Sequence, residues 1–284
     1  MFKAAMFDFD GTITERGRSV PSQELANALV RVAQKMPIAF CTGRQLESFI
    51  KRGLTELLRE IDPELRTAFL DNLFLMAENG AVGYFYNVKT EAFEEFYRAA
   101  WPEDFAKKET IKNALQSKIE GFGEVIDMHR VVIVMRTIPH DHNNIEEIST
   151  LSNRIYEATV ECFEKEFPGY KDYLHVGNSG IGVLVTPAEG DKDAAIKRFA
   201  KFLEEKREVK FSAECREILV VGDQPLFGGN DYYFLNGKYG TPFTVGEYDP
   251  SREAPAPVLS AKGKRLFNDQ GTLFLLESIL KAGQ

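Results

Sequence analysis

Residues 4–12 read Ala4-Ala5-Met6-Phe7-Asp8-Phe9-Asp10-Gly11-Thr12. A short apolar run that ends on two carboxylates and a glycine predicts a strand from Ala4 to Phe9, buried on both faces and closed by Asp10-Gly11. The next segments repeat the pattern. Pro21 and Ser22 open a helix with Leu25, Leu29 and Val32 at helical spacing, and Ser22 is placed to cap it. Pro37 to Cys41 is a second apolar run, ended by Thr42-Gly43-Arg44, and Leu46 to Glu60 is helical. Leu73 to Ala77 is a third, ended by Glu78-Asn79-Gly80. Near the other end, Glu217 to Val221 runs into Gly222-Asp223, Thr241 to Val245 adds another strand, and a last helix falls near Thr272 to Leu280. Continuous apolar strands alternating with amphipathic helices predict an α/β fold, with a Rossmann-like parallel sheet covered by helices on both faces.

The middle of the chain has a different texture. A short aromatic strand, Val82 to Tyr86, leads to helical text from Glu91 to Ile119. A longer strand follows from Glu124 to Ile138, and then a helical stripe through Ile145, Ile148, Leu151, Ile155, Thr159, Cys162 and Phe163. Tyr173 to Pro187 reads as a hairpin turning at Asn178-Ser179-Gly180. This predicts an inserted α+β module at 83–186, flanked by core segments 1–82 and 187–284, with Gly80, Gly83 and Pro187 at the crossings.

The 284 residues are 44% hydrophobic and 27% charged, enough for a sizeable core. The net charge is −8, with signs interspersed, which argues against nucleic acid as a partner. No apolar run approaches a membrane span, and Lys3, Asp8 and Asp10 interrupt any export signal. Cys41, Cys162 and Cys215 are scattered and odd in number; they fit a reducing cytosol, and a cytoplasmic location is expected.

Strand ends on one edge of a parallel sheet face a common crevice. Asp8, Asp10 and Asp223 would meet there. Two like charges 4 Å apart repel by about 4 kcal/mol even at an effective dielectric of 20, so the cluster calls for a cation. Mg²⁺ suits it, because it takes few carboxylates and leaves positions for phosphate and water. Lys192 adds a positive charge, and Thr42 with the N–H groups after Asp10 and Thr42 can hold phosphate oxygens. The set suits phosphoryl transfer.

In these residues the chain resembles the haloacid dehalogenase-like phosphatase superfamily. Asp8-x-Asp10-Gly11-Thr12 resembles its first motif, and Thr42, Lys192, and Gly222-Asp223 with Asn230-Asp231 match the other three in order. The 147 residues between Arg44 and Lys192 resemble a type-two cap, and the 83–186 text resembles the cap of subfamily IIB, which includes Cof-type sugar phosphatases. The resemblance implies a Mg²⁺-dependent phosphatase acting on a small phosphorylated metabolite, with a sugar phosphate the expected substrate class. It implies that Asp8 is the nucleophile and Asp10 the acid and base. Asp8, the Asp10 carbonyl and Asp223 are implied to hold Mg²⁺. Gly11, Thr42, Gly43 and Lys192 are implied to bind phosphate, with Asn230 and Asp231 supporting the metal waters and Lys192, and Arg44 in support.

One departure stands out. Six residues, Gln224 to Gly229, separate Gly222-Asp223 from Asn230-Asp231, where plain phosphatases have a shorter spacing. The longer loop resembles the phosphomannomutase branch, so a phosphohexomutase is the alternative. Val183-Leu184 stands where that branch has Phe-Asp, and its cap arginine signature is not evident around Val131 to Arg136. A phospho-aspartate signalling protein without turnover is the third reading. Other features have bland and functional readings alike. Arg16 and Arg18 either grip an anionic substrate or are solvated. His140 and His142 around Asp141 hold a second metal or form a solvated turn. Cys41 reads as a small buried residue.

Overall fold

The computed structural model describes residues 1–15, 20–140 and 143–282. Arg16, Arg18, Asp141 and His142 lie outside the described residues. In chain order the core opens with β1 (Ala4–Phe7), α1 (Gln23–Ala33) and β2 (Ile38–Cys41). Then come α2 (Leu46–Phe49), a wider turn at Ile50–Leu54, α3 (Thr55–Glu60), α4 (Pro63–Asp71) and β3 (Leu73–Ala77). Strands β4 (Val82–Asn87) and β5 (Ala92–Arg98) follow. A second unit holds α5 (Lys108–Ile119), β6 (Gly123–Ile126), β7 (Ile133–Thr137), α6 (Ile145–Glu166), β8 (Leu174–Asn178) and β9 (Gly182–Pro187). The chain returns through α7 (Lys192–Arg207), β10 (Ile218–Gly222), β11 (Thr241–Thr244), the short β12 (Ala256–Pro257) and α8 (Asn268–Ala282).

The large sheet has the order β12-β11-β10-β1-β2-β3-β4-β5. It is parallel from β12 to β3 and antiparallel beyond. Each central strand alternates between two apolar layers. Ala5 and Phe7 pack with α1 and α8, whereas Ala4 and Met6 pack with α7. This two-sided burial is why β1 reads as an unbroken apolar run. Ser22 caps α1 as its sequence position suggests, accepting the Leu25 N–H at 3.3 Å. β1 lies between β10 and β2, with α1 leading to one side and β11 continuing on the other. That is the switch point where open α/β sheets bind ligands.

The second unit is a four-stranded antiparallel sheet, β6-β7-β9-β8, with its own core. Ile133, Met135, Leu174, Val176, Val183 and Val185 pack beneath α5 and α6. The intervening residues point the other way, toward the large domain. Val134 joins the core there, and Leu184 meets Gly43. A period of two thus gives the cap one face for its own core and one for the site.

The structure departs from expectation in three places. Ala92–Arg98 is a strand, not the start of a helix, and β4 and β5 extend the large sheet rather than the insert. Aromatic partners override the helical text: Phe93 meets Tyr86 at 5.3 Å, and Phe96 meets Phe202 at 4.2 Å. The expected strand from Glu124 to Ile138 is split into the pair β6 and β7. The break has an electrostatic cause. The Glu78 carboxylate, buried at the end of β3, accepts the N–H groups of Arg130, Val131 and Val132 at 3.0, 2.7 and 3.2 Å. The last helix begins four residues earlier than Thr272, at Asn268.

Glu78 thus ties a cap segment to the core. Glu78→Ala is expected to lower stability by about 3 kcal/mol, since buried donors left without an acceptor cost about 1–3 kcal/mol each. Glu78→Gln should fall between the two. Urea unfolding checks this, and a wild-type midpoint for Glu78→Ala would contradict it.

Candidate active site

Asp8 follows β1 directly, and its N–H donates to the Val221 carbonyl of β10 at 2.8 Å. Asp223 follows β10, and Lys192 is the first residue of α7. The Asp191 side chain caps that helix, accepting the Lys192 N–H at 2.6 Å. These anchors bring Asp8, Asp223 and Asp231 together, with one oxygen of each within 4.8 Å of the others. Lys192 Nζ lies 2.7 Å from Asp8 Oδ1 and 2.6 Å from Asp231 Oδ1. The other Asp231 oxygen accepts the N–H groups of Asp223 and Gln224 at 3.0 and 3.1 Å. Asp231 is therefore committed to holding Lys192 and the Asp223 backbone.

Charge decides what the cluster requires. Asp8 is 5% exposed and Lys192 fully buried. Burial pushes the Asp8 carboxyl well up, Asp231 and Asp223 add to this, and Lys192 opposes it. Burial would lower Lys192, but the Asp231 and Asp8 carboxylates reverse this and hold the ammonium well above its ordinary range. Three carboxylates against one ammonium leave excess negative charge in a site made of oxygen donors. These residues fit a hard divalent cation such as Mg²⁺, with Asp8 and Asp223 as the carboxylates that would take it.

The remaining predicted residues take up distinct positions. Asp10 stands outside the carboxylate cluster. Arg44 holds it in a forked pair, Nε to Oδ2 at 3.0 Å and a terminal nitrogen to Oδ1 at 2.5 Å. Another Arg44 nitrogen donates to the Arg52 carbonyl at 3.0 Å, which fixes the fork from behind. Gly11 has φ +90°, and a Cβ there would lie 2.4 Å from Asp223 Oδ2, so the carboxylate can approach only a glycine. Thr42 is buried, and its Oγ1 accepts the Arg44 N–H at 3.2 Å. Gly43 lies under Leu184 of the cap, 2.9 Å from where its Cβ would stand. Asn230 does not join Lys192. Its Oδ1 is buried, finds no hydrogen-bond partner among the described residues and faces Gly177. Cys41 is buried, and burial pushes its thiol up, away from reactivity.

Several residues here were not anticipated. Asp191 accepts Asn79 Nδ2 at 2.9 Å, and its second oxygen lies 2.8 Å from His175 Nδ1. His175 stacks on Tyr233 with ring centroids 3.5 Å apart. Asn79 also donates to Thr186 at 3.2 Å. This buried chain runs from the end of β3 through the cap to the residues after Asp231, and braces the start of α7. The one local signal was an aspartate directly before Lys192 at a helix start, a favoured capping position.

No protein-family model and no curated protein sequence matches the chain. Solved structures do. An IMP-bound variant of the Plasmodium falciparum IMP-nucleotidase superposes with a TM-score of 0.64 at 17% identity, over 99% of this chain and 67% of that one. The C-terminal domain of C. albicans trehalose-6-phosphate phosphatase gives 0.63 at 16%, over 99% and 92%. A haloacid dehalogenase-like hydrolase from Bacteroides thetaiotaomicron gives 0.57 at 14%, over 98% and 100%. At such identities the likeness speaks for the fold alone.

The raised Asp8 carboxyl has a measurable consequence. A group that binds its proton more tightly when folded favours the folded state most below its unfolded value, and that contribution falls as pH rises through the folded value. With chelator present, ionising Asp8 should therefore destabilise the protein progressively as pH rises. Asp8→Asn is expected to raise the melting temperature in chelator and to flatten its fall as pH rises above the ordinary carboxylate range. A lower melting temperature for the Asn variant across this range would contradict the assignment.

Proposed function

We propose that the chain is a Mg²⁺-dependent phosphatase that hydrolyses a small phosphorylated metabolite, in our reading a sugar phosphate, through a phosphoaspartate on Asp8. The observation that carries this is the buried ammonium of Lys192 set between Asp8 and Asp231, beside Asp223, at the carboxyl end of β1. The names of two structural neighbours support a phosphate-ester substrate, and one of them is a sugar-phosphate phosphatase.

The steps follow from this chain's own groups. An Asp8 oxygen attacks phosphorus, forming an O–P bond as the ester O–P bond breaks, and Asp10 gives its proton to the leaving oxygen. Water then attacks the phosphoaspartate and loses a proton to Asp10, and the Asp8–phosphorus bond opens to release phosphate. Lys192 and Thr42 hold the phosphoryl oxygens, and Asp10 carries its proton on the oxygen released from one arm of the Arg44 fork while the other arm keeps it oriented. Mg²⁺, held by Asp8, Asp223 and the Asp10 carbonyl, would offset the negative charge gathered on the carboxylates and the phosphoryl group. The cap face carrying Leu184 and Thr186 lies over this edge, which suits reading the leaving group and excluding water.

The test is a panel of phosphorylated metabolites assayed for phosphate release. Turnover should vanish in chelator and return with Mg²⁺ but poorly with Ca²⁺, which accepts more ligands and would draw both Asp8 oxygens away from attack. Asp8→Asn should lower kcat by at least about 10⁴-fold. Substantial turnover in chelator, or in the Asn variant, would refute the phosphoaspartate reading. A requirement for a sugar bisphosphate activator would favour the mutase.

A further inference from the structure

The six-residue spacer between Asp223 and the Asn230-Asp231 pair has a structural use. The Asn178 N–H, at the cap hairpin, donates to the Gly228 carbonyl at 2.8 Å, and the Asn230 N–H donates to the Asn178 carbonyl at 3.1 Å. Asn178 and Gly229 thus pair as neighbouring strands do. Gln224 Nε2 adds a bond to the Ser179 carbonyl at 2.9 Å. The Asn178 side chain fixes the hairpin from the cap side. Its Oδ1 accepts Ser152 Oγ at 2.7 Å and the Gly180 N–H at 2.8 Å, and its Nδ2 donates to Asn153 Oδ1 at 2.7 Å. One turn further along α6, Tyr156 Oη lies 2.8 Å from where a Gly228 Cβ would stand.

Both ends of the loop belong to the carboxylate cluster. Asp231 holds Lys192 with one oxygen and the N–H groups of Asp223 and Gln224 with the other. The loop between them has no helix or strand of its own and contains Gly228-Gly229. The loop closes on itself through the Gly229 N–H on the Leu226 carbonyl at 2.8 Å, Arg252 donates to the Pro225 carbonyl at 2.7 Å, and the cap hairpin holds its Gly228–Asn230 end.

From this juxtaposition of hairpin, loop and carboxylates we infer that Asn178 is a positioning residue. Seated on loop 224–230, it sets Asp223 and Asp231 in working geometry and makes that geometry depend on the cap being down. The spacer is long because it must reach the cap. The kinetic part of this inference rests on the phosphatase reading; the structural part does not.

The test compares Asn178→Ala, Asn178→Asp and the control Gln116→Ala. Gln116 accepts the Val125 N–H within the cap, away from the loop. The substrate is p-nitrophenyl phosphate with Mg²⁺, and hydrogen exchange is followed over 224–231. Asn178→Ala should lower kcat about tenfold with KM within about twofold, and raise the Mg²⁺ concentration for half-activity about tenfold. Exchange over 224–231 should quicken about tenfold, while β1 stays protected. Asn178→Asp keeps the Ser152 and Gly180 bonds and should fall between Ala and wild type. Gln116→Ala should match wild type throughout. If Asn178→Ala does not fold, Gln224→Ala, which loses only the Ser179 bond, carries the same test with shifts of about threefold. Wild-type exchange over 224–231 in a folded Asn178→Ala protein would overturn the inference, as would wild-type kcat and Mg²⁺ response. If the wild-type protein hydrolyses no ester, the phosphatase reading fails, and the exchange result alone decides the role of Asn178.

Discussion

Lys192 Nζ lies 2.7 Å from Asp8 and 2.6 Å from Asp231, fully shielded from solvent. The arrangement of the crevice follows from the need to keep this ammonium and its carboxylates buried together. A buried charge without a partner costs several kcal/mol, so each member of the cluster must arrive in place with the others. Burial and pairing also act in opposite directions on the two ends of the pair. The carboxyl of Asp8 rises chiefly because it is buried, and its acidic neighbours add to this against the single lysine, while the ammonium of Lys192 is held firmly. The site thus holds an excess of negative charge that a divalent cation would relieve.

The backbone delivers these groups by simple means. β1 and β10 are adjacent and parallel, so Asp8 and Asp223, each just past its strand, emerge side by side. Lys192 begins a helix, and Asp191 caps that helix while bonding to Asn79 and His175. One aspartate therefore aims the lysine and ties the helix start to the cap. Arg44, two residues past Thr42, reaches back to Asp10 and completes the crevice from the β2 side.

Cap and core meet through two distinct kinds of contact. Near β3, the Glu78 carboxylate takes three backbone N–H groups of the segment before β7. Beyond β10, the hairpin after β8 pairs with the loop before Asp231. The first contact anchors the insert near its crossings, and the second bears directly on the acid cluster. Between them, the alternation of β9 leaves Leu184 and Thr186 facing the core while Val183 and Val185 stay within the cap.

The sequence by itself determined the central strands, the first helix cap and the set of charged groups at the sheet edge. Those features are local. A strand buried on both faces must be apolar throughout, a helix start needs an oxygen at its cap, and the end of β1 shows its carboxylates two residues apart. Only the tertiary structure decided the rest. Ala92–Arg98 is a strand because aromatic rings distant in sequence cover it, and the segment before β7 leaves its ladder because Glu78, more than fifty residues earlier, takes its N–H groups. The pairing of Arg44 with Asp10 and the turn of Asn230 toward the cap were equally out of reach. Each depends on where a side chain finds a partner in space, and spacing along the chain does not carry that information once the partners lie on different elements.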